Sequence, residues 1–144
     1  MKTLLRIDRS SGRIVDGKGF VVFDPHAGPR PSALRPNAVQ TIFEAAAEDG
    51  VKVSVSYVES GRGYLSLSAD HAQFGTSWDE WTKQKERARV TWLVGFLKSC
   101  GAPVGVYPWG KVEAIYDAKG GQGLAIISYV AQQAAAGDAG NPRA

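Results

Sequence analysis

The sequence is poor in the residues that cross-link small secreted proteins or bind transition metals. It contains one cysteine, Cys100, and two histidines, His26 and His71. A single cysteine forms no internal disulfide and supplies no multi-cysteine zinc site, so both classes of protein are excluded. No hydrophobic run approaches the roughly 20 residues of a membrane-spanning helix, and the early charges of Lys2 and Arg6 leave no signal-peptide core. We therefore expect a cytoplasmic protein without a membrane partner.

Two groups of enzyme motifs are missing as well. No G-x-S-x-G segment marks a nucleophilic serine, and no G-x-x-x-x-G-K-[ST] segment marks a phosphate-binding loop. The remaining composition is that of a globular protein, with 144 residues, 44% hydrophobic residues and a net charge of +3. This length suits a single domain with a substantial core. The mild positive charge is compatible with a polyanionic partner but does not require one.

Hydrophobic patterning predicts that strands alternate with helices. Short apolar or alternating segments predict strands at residues 3–8, 19–24, 51–58 and 104–107. Capping signals, helix-forming composition and apolar spacings of three and four residues predict helices at 37–49, 77–100 and 124–136. Segments rich in proline, glycine or polar residues predict loops at 25–36, 60–76 and 108–123. Three tryptophans, Trp78, Trp81 and Trp92, are expected to pack the second helix onto the sheet.

This order predicts an α/β domain with a mixed sheet, whose parallel central strands are flanked by helices. The domain would span residues 1–136 and be followed by a flexible tail at 137–144. Asp8 and Glu59 each end a predicted strand, where sites in such sheets usually lie. Parallel neighbours are about 4.8 Å apart, so the two carboxylates could share a Mg²⁺ ion, which prefers oxygen ligands. The alternative is that both acids are ordinary solvated loop residues.

Several short segments also occur in a characteristic order along the chain. They are Ile7-Asp8 with Gly17–Val22, Tyr57-Val58-Glu59, the stretch from Arg87 to Pro108, and Lys111-Val112 with Gly120–Ala125. Their order resembles that of the RuvC-like Holliday-junction resolvases, which have an RNase H-like fold. The resemblance covers most of the chain as a series of short matches. It implies a single RNase H-like domain and a metal-dependent endonuclease that acts on branched or structured DNA, as a homodimer matching the two-fold symmetry of a junction.

The resemblance also implies the residues of a catalytic site. Asp8, Glu59 and Asp138 would be the catalytic carboxylates and would hold Mg²⁺ or Mn²⁺, which activates a water for phosphodiester hydrolysis. Asp117 and Glu113 are the alternatives for the third carboxylate.

Two sets of residues are candidates for DNA contact. Arg9, Arg62 and Tyr64 follow the two carboxylates closely, and such residues neutralise phosphates or stack on bases. Under the resemblance, Lys111 and the glycine turn containing Gly121 and Gly123 would contact the phosphate backbone.

The chain also departs from the family pattern. Arg9-Ser10 stands where the family has Pro-Gly, and Asp138 is a single late aspartate where the family usually has two. These departures favour an alternative function, that of a catalytically inactive accessory or inhibitory protein. Such a protein would bind a protein or nucleic-acid partner through the predicted loops at 25–36 and 60–76.

Overall fold

The computed structural model describes residues 4–26, 39–58, 64–75 and 78–129, and β-strands are the main secondary structure in them. The strands in this part of the chain are β1 (Leu5–Ile7), β2 (Ile14–Asp16), β3 (Val21–Phe23), β4 (Val39–Ala46), β5 (Lys52–Val58), β6 (Tyr64–Asp70), β7 (Gly105–Tyr107), β8 (Gly110–Asp117) and β9 (Gln122–Tyr129). The helical elements are α1 (Lys83–Ser99) and two 3₁₀ turns, Ala72–Phe74 and Trp78–Glu80. The predicted tail at 137–144 lies outside the described residues.

The strands form two sheets. Strands β1, β2 and β3 make a small three-stranded sheet, and the other six make a large sheet in the order β4-β5-β6-β9-β8-β7. Every strand pair within the described residues is antiparallel. Helix α1 connects β6 to β7, so the large sheet consists of two three-stranded meanders that meet where β6 pairs with β9.

The predicted α/β fold class is therefore wrong. A single RNase H-like domain with parallel central strands flanked by helices requires crossover connections, which bring successive strands into parallel register. Here most strands are joined by tight turns, and the described residues contain one α-helix. The described residues instead form a small β-rich domain with one α-helix.

The first predicted helix, at 37–49, is wrong because β4 contains a β-bulge. The strand pairs with β5 through Thr41 opposite Ser56 and Phe43 opposite Val55, so Ile42 is the extra residue. A bulge inserts one residue into a strand and breaks the alternation of side chains. The apolar residues of β4 consequently recur at intervals of three and four, which is the period of an amphipathic helix.

The predicted loop at 60–76 and the predicted helix at 124–136 both contain strands. In β6 the buried residues alternate as Leu65, Leu67 and Ala69, with Ser66 and Ser68 between them. Strand β9 alternates in the same way between buried and half-buried residues, although its alanine, isoleucine and leucine residues also suit a helix. The predicted loop at 108–123 likewise contains β8. Small serine and alanine side chains weaken the hydrophobic contrast on which strand prediction depends.

Two of the longer predicted elements are confirmed. Strand β5 matches the alternating segment at 51–58, and α1 lies within the predicted helix at 77–100. The helix begins later than predicted because its N-cap is Thr82, whose hydroxyl accepts a hydrogen bond from the Lys85 amide at 3.0 Å. No helix within the described residues has both the length and the apolar character needed to cross a bilayer.

One continuous core joins α1, the small sheet and one face of the large sheet. Leu93 and Leu97 of α1 are fully buried in it, together with Ile14 of β2. Phe23 of β3 stacks on Tyr57 of β5 with ring centroids 6.1 Å apart. Since the helix and the small sheet share this cluster, both cover the same face of the large sheet.

Gly12 marks the closest approach of the small sheet to the large one. Its φ is +78°, and a Cβ at this position would lie 2.5 Å from the Trp109 ring. The Tyr129 hydroxyl donates a hydrogen bond to the Gly12 carbonyl at 2.8 Å, and burial raises the pKa of this hydroxyl. Only glycine combines this backbone conformation with this spacing.

The two meanders pair along only part of their length. Strands β6 and β9 are paired from Tyr64 opposite Ser128 to Leu67 opposite Ala125. Continuing this register by two residues would place Ala69 opposite Gly123, but the ladder ends before that pair. The two strands therefore diverge at this end of the sheet.

Candidate functional site

A cleft opens where β6 and β9 diverge, and we call it the indole cleft. Its volume is about 240 Å³. Its lining comes from β6, both 3₁₀ turns, α1 and the β8–β9 turn: Asp70, Phe74, Gly75, Trp78, Trp81, Glu86, Arg89, Gly120, Gly121 and Gln122. Residues distant in sequence thus converge on one concave surface, as is typical of ligand sites.

Two indoles flank the β8–β9 turn and form the wall of the cleft. The rings of Trp78 and Trp81 have centroids 6.4 Å apart and planes tilted by 38°. Trp81 is fixed by a hydrogen bond from its Nε1 to the Gly121 carbonyl at 2.6 Å. A Cβ on Gly121, whose φ is +64°, would lie 3.5 Å from both indoles. Trp78 nevertheless remains 75% exposed, so most of its ring surface faces solvent.

The floor of the cleft is a buried ion pair on α1. Glu86 and Arg89, three residues apart, are 3% and 5% exposed. Glu86 Oε2 accepts a hydrogen bond from Arg89 Nη2 at 3.2 Å. Arg89 Nε also lies 3.2 Å from Glu86 Oε1, but this contact lacks hydrogen-bond alignment. Further polar groups surround the pair, as a stable buried ion pair requires.

These further groups belong to the two diverging strands. Arg89 Nη1 donates to the Ala69 carbonyl at 2.8 Å, and the Gly123 amide donates to Glu86 Oε1 at 2.9 Å. Ala69 and Gly123 are the residues that would pair next if the β6–β9 ladder continued. The ion pair therefore satisfies the backbone groups that the interrupted ladder leaves without a partner, as buried polar groups require.

Close packing holds α1 against β9 at this point. A Cβ on Gly123 would lie 2.5 Å from the Glu86 carbonyl oxygen and 2.7 Å from Val90 Cγ2. Glycine here allows the helix to approach the strand closely enough for the Gly123–Glu86 hydrogen bond. On the other side, Arg89 Nη2 reaches the Phe74 carbonyl at 3.3 Å, and its guanidinium lies 5.4 Å from the Phe74 ring centroid.

Asp70 is the accessible charged group of the cleft. Its side chain is 58% exposed, and its Oδ1 accepts a hydrogen bond from Arg89 Nη1 at 3.1 Å. Among the residues that the structure describes, the lining contains aromatic surface and two carboxylates but no serine, cysteine or histidine. This set can bind a ligand, and it offers no nucleophile for covalent chemistry of the serine or cysteine type.

A second, larger cavity of about 500 Å³ lies between α1 and the β4–β5 turn. The rings of Trp92 and Phe96 stack there at 5.2 Å, and Trp92 Nε1 donates to Asp49 Oδ2 at 2.8 Å. This hydrogen bond, together with one from the Val51 amide, lowers the pKa of Asp49. Burial raises the pKa of the Cys100 thiol to about 12. The cavity is mainly apolar and has few polar groups that converge on one point, so we favour the indole cleft.

Asp8, the first predicted catalytic residue, has a structural role in the described residues. It follows β1, and its Oδ1 accepts a hydrogen bond from the Ser10 amide at 2.8 Å. This bond, with others from Ser10 and Ser11, lowers the pKa of Asp8. Because β1 belongs to the small sheet and β5 to the large one, the predicted parallel neighbours of the Asp8–Glu59 site do not exist.

The rest of the predicted metal site is not assembled in the described residues. Glu59, Asp138 and Arg62 lie outside them. The alternatives for the third carboxylate are both on β8, where Glu113 pairs with Lys111 at 3.5 Å and Asp117 accepts a hydrogen bond from the Lys119 amide. Within residues 4–26, 39–58, 64–75 and 78–129, no three His, Cys, Asp or Glu side chains form a group suited to a metal. The Mg²⁺ or Mn²⁺ site stays a prediction.

The predicted DNA-contacting residues fall into separate places. Tyr64 and Lys111 lie on either side of Ser128 in neighbouring strands, so they share the face opposite the core. Gly121 and Gly123 are at the other end of β9, in the indole cleft and its packing. The structure thus brings together Tyr64 with Lys111, and Gly121 with Gly123, but not all four.

Arg9 is apart from both pairs, because its Nε donates to the Gly101 carbonyl at 3.1 Å, near the end of α1.

The indole cleft was not predicted from the sequence. Trp78 was expected to pack the helix onto the sheet, whereas it is the most exposed of the aromatic residues in the cleft. The available signal was the W-x-x-W spacing of Trp78 and Trp81 around two acids, in a segment without apolar residues to bury. A second signal was the i, i+3 spacing of Glu86 and Arg89 on the buried side of α1.

Comparison of the chain with protein-family models, with curated proteins and with solved structures gives no match.

Proposed function

We propose that the protein is a binding protein and that its ligand site is the indole cleft. The observation that carries this proposal is the exposure of Trp78. Its side chain is 75% exposed, although the neighbouring Trp81 is held by a hydrogen bond to the Gly121 carbonyl. A large exposed aromatic side chain beside a cavity is typical of a surface that binds a ligand or a partner.

The supporting residues are rigidly held, which a binding site requires. Trp81 is anchored to Gly121, and the floor is the buried Glu86–Arg89 pair. A preorganised site loses less conformational entropy when its ligand binds. The alternative function expected from the sequence is a catalytically inactive accessory or inhibitory protein that binds a protein or nucleic acid through its loops. The present proposal shares the binding role but assigns it to this cleft.

Nuclear magnetic resonance of the tryptophan indole groups tests this proposal. The chain has four tryptophans, so its indole N–H signals can be assigned by single Trp→Phe variants. The probes are tetramethylammonium, methyl glucoside, adenosine monophosphate and phenol, which represent a cation, a sugar, a nucleotide and an aromatic ring. We expect at least one probe to shift the signals of Trp78 and Trp81 and leave those of Trp92 and Trp109 in place.

The variant Trp78→Ala should abolish these shifts, whereas the control Trp92→Phe should retain them. Probes that leave the Trp78 and Trp81 signals unchanged, or that shift Trp81 equally in Trp78→Ala, would overturn the proposal.

The nuclease predicted from the resolvase resemblance requires a different experiment. A labelled four-way DNA junction is incubated with the protein and Mg²⁺, beside the variant Glu59→Gln and a matched linear duplex. A binding protein leaves the junction intact in every case. Junction cleavage that is lost in Glu59→Gln would show that the chain is an enzyme and overturn the proposal of a binding protein.

A further inference from the structure

We infer that the ligand of the indole cleft is an organic cation, an alkylated ammonium group. This inference rests on the proposed function and adds the chemical class of the ligand. The alkylated ammonium can belong to a free small molecule or to a modified lysine side chain, since both present the same group.

The charge of the cleft favours a cation. Among the lining residues that the structure describes, the carboxylates of Asp70 and Glu86 and the guanidinium of Arg89 give a formal charge of −1. Arg89 directs both terminal nitrogens to protein acceptors: Nη1 to Ala69 and Asp70, and Nη2 to Phe74 and Glu86. The guanidinium of Arg89 is therefore neutralised and hydrogen-bonded by protein groups, and the charge of the cleft that is exposed to solvent is that of Asp70.

Three hydrogen-bond donors at the cleft are also already engaged. Trp81 Nε1 donates to the Gly121 carbonyl, the Gly121 amide to the Asp117 carbonyl, and the Gly123 amide to Glu86. Phosphate and carboxylate ligands need several free donors. The engagement of these groups therefore disfavours an anionic ligand such as a nucleotide.

The aromatic wall presents ring faces, which attract cations. Tryptophan is the best of the aromatic side chains for a cation–π interaction. Trp78 provides an open ring, and Trp81 provides a second ring at a tilt of 38°. The Asp70 carboxylate lines the same cavity. Aromatic rings combined with a carboxylate form the arrangement that recognises quaternary ammonium groups.

The size of the cleft suits a head group and not a large ligand. Its volume of about 240 Å³ is below the roughly 300–1,000 Å³ of pockets that enclose drug-sized molecules. A trimethylammonium group fits such a space, with the remainder of the ligand in solvent.

Paired ligands that differ only in charge test this inference. Choline and its uncharged isostere 3,3-dimethylbutan-1-ol have nearly the same shape, and their affinities can be measured by titration followed by the indole N–H signals. We expect choline to bind at least about tenfold more tightly, because the cation–π and carboxylate interactions require the charge. Equal affinities would overturn the inference.

Two variants assign the effect to the cleft. Asp70→Asn removes the charge but keeps an oxygen that can accept from Arg89, so the fold should be retained; we expect it to weaken choline binding about threefold to tenfold. Trp78→Leu keeps an apolar side chain and should weaken binding about twofold to fivefold. The control Glu113→Gln removes a carboxylate that pairs with Lys111 on β8 and should leave affinity unchanged. Unchanged choline affinity in a folded Asp70→Asn would also overturn the inference.

The outcomes separate this inference from the proposed function. If methyl glucoside, phenol or adenosine monophosphate binds at Trp78 and choline does not, the cleft is a binding site but its ligand is not a cation. If none of these probes binds, both proposals are wrong. Comparing choline with N-acetyl-trimethyllysine methylamide then identifies the source: tighter binding of the lysine derivative supports a modified side chain, and tighter binding of choline supports a free small molecule.

Discussion

The buried ion pair under the indole cleft provides the sharpest test of how this fold is stabilised. In Arg89→Met, an apolar side chain of similar length replaces a guanidinium that is 5% exposed. The substitution leaves Glu86, itself 3% exposed, as a buried carboxylate without its cation. It also removes the donor to the carbonyls of Ala69 and Phe74.

The expected cost is large for a single substitution. Removing one member of a buried ion pair costs about 3–5 kcal/mol, because the remaining charge stays desolvated. Each carbonyl that loses its donor adds a cost of about 1–3 kcal/mol, although entry of water at the half-exposed Asp70 side reduces the sum. We expect about 5 kcal/mol, the lower end of this sum, which is a major part of the roughly 5–15 kcal/mol that stabilises a domain.

Urea unfolding followed by circular dichroism measures this cost, and two variants control it. Arg87→Met changes an exposed arginine on the same helix and should cost less than about 0.5 kcal/mol. The double variant Glu86→Gln with Arg89→Met removes the unpaired charge but keeps an oxygen that can accept from the Gly123 amide. It should therefore be more stable than Arg89→Met alone.

Two results would refute this reasoning. A loss below about 1 kcal/mol in Arg89→Met would mean that the guanidinium does not compensate a buried charge. A double variant less stable than Arg89→Met would mean that Glu86 stabilises the fold even without its partner. In either case, the ion pair would not hold the diverging strands together.

Three further predictions concern the rest of the domain. The Cys100 thiol, whose pKa is raised to about 12 by burial, should not react with Ellman's reagent at pH 8 until the protein is unfolded; rapid stoichiometric reaction of the native protein would contradict this. Gly12→Ala should lower the free energy of unfolding in urea by about 2–4 kcal/mol, because its Cβ would clash with the buried Trp109 indole. The control Gly19→Ala should lower it by only about 1–2 kcal/mol, because Gly19 has a φ of +89° but no atom within 4 Å of the added Cβ. The hydrogen bond from Trp92, followed by that from a backbone amide, lowers the pKa of Asp49 below 3.8 in the folded protein, so its stabilisation is complete above about pH 5 and is lost on further acidification. Asp49→Ala should thus lower the melting temperature most above about pH 5, and a difference that instead grows on acidification below about pH 5 would contradict the assignment.

The elements that were predicted correctly are those whose local pattern is unambiguous. Strand β5 alternates strictly between apolar and polar residues, and α1 combines an N-terminal cap with a long helical segment. By contrast, the pattern of β4 is altered by its bulge at Ile42, and β6 alternates leucine with serine in a segment flanked by glycines. A bulge depends on pairing with a partner strand, so no local pattern identifies it.

The candidate site could not be predicted from the sequence for a different reason. Trp78, Arg89 and Gly121 belong to a turn, a helix and a hairpin, and they meet only because the large sheet splits. The prediction from the sequence instead placed Asp8 and Glu59 side by side, which assumed that their strands were parallel neighbours. Once β1 belongs to a separate sheet, that assumption has no basis.

The split in the sheet links the stability of the domain to its candidate binding site. An uninterrupted β6–β9 ladder would pair Ala69 with Gly123 directly and leave no space between the two strands. Helix α1 inserts its ion pair at this point, so that Arg89 bonds to the first strand and Glu86 to the second. The backbone groups are satisfied, but the strands stay apart and the indoles border the gap.

This arrangement explains why an acidic and a basic residue occupy buried positions of a helix that covers a hydrophobic core. Two apolar residues could fill the same volume, and such replacements of buried ion pairs are often neutral or stabilising. They would, however, leave the Ala69 carbonyl and the Gly123 amide without partners, and the strands could satisfy these groups only by closing on each other. Closure would remove the space beside Trp78 and Trp81. The Glu86–Arg89 pair therefore keeps the cleft open, and substitutions that remove it should reduce ligand binding even where the domain still folds.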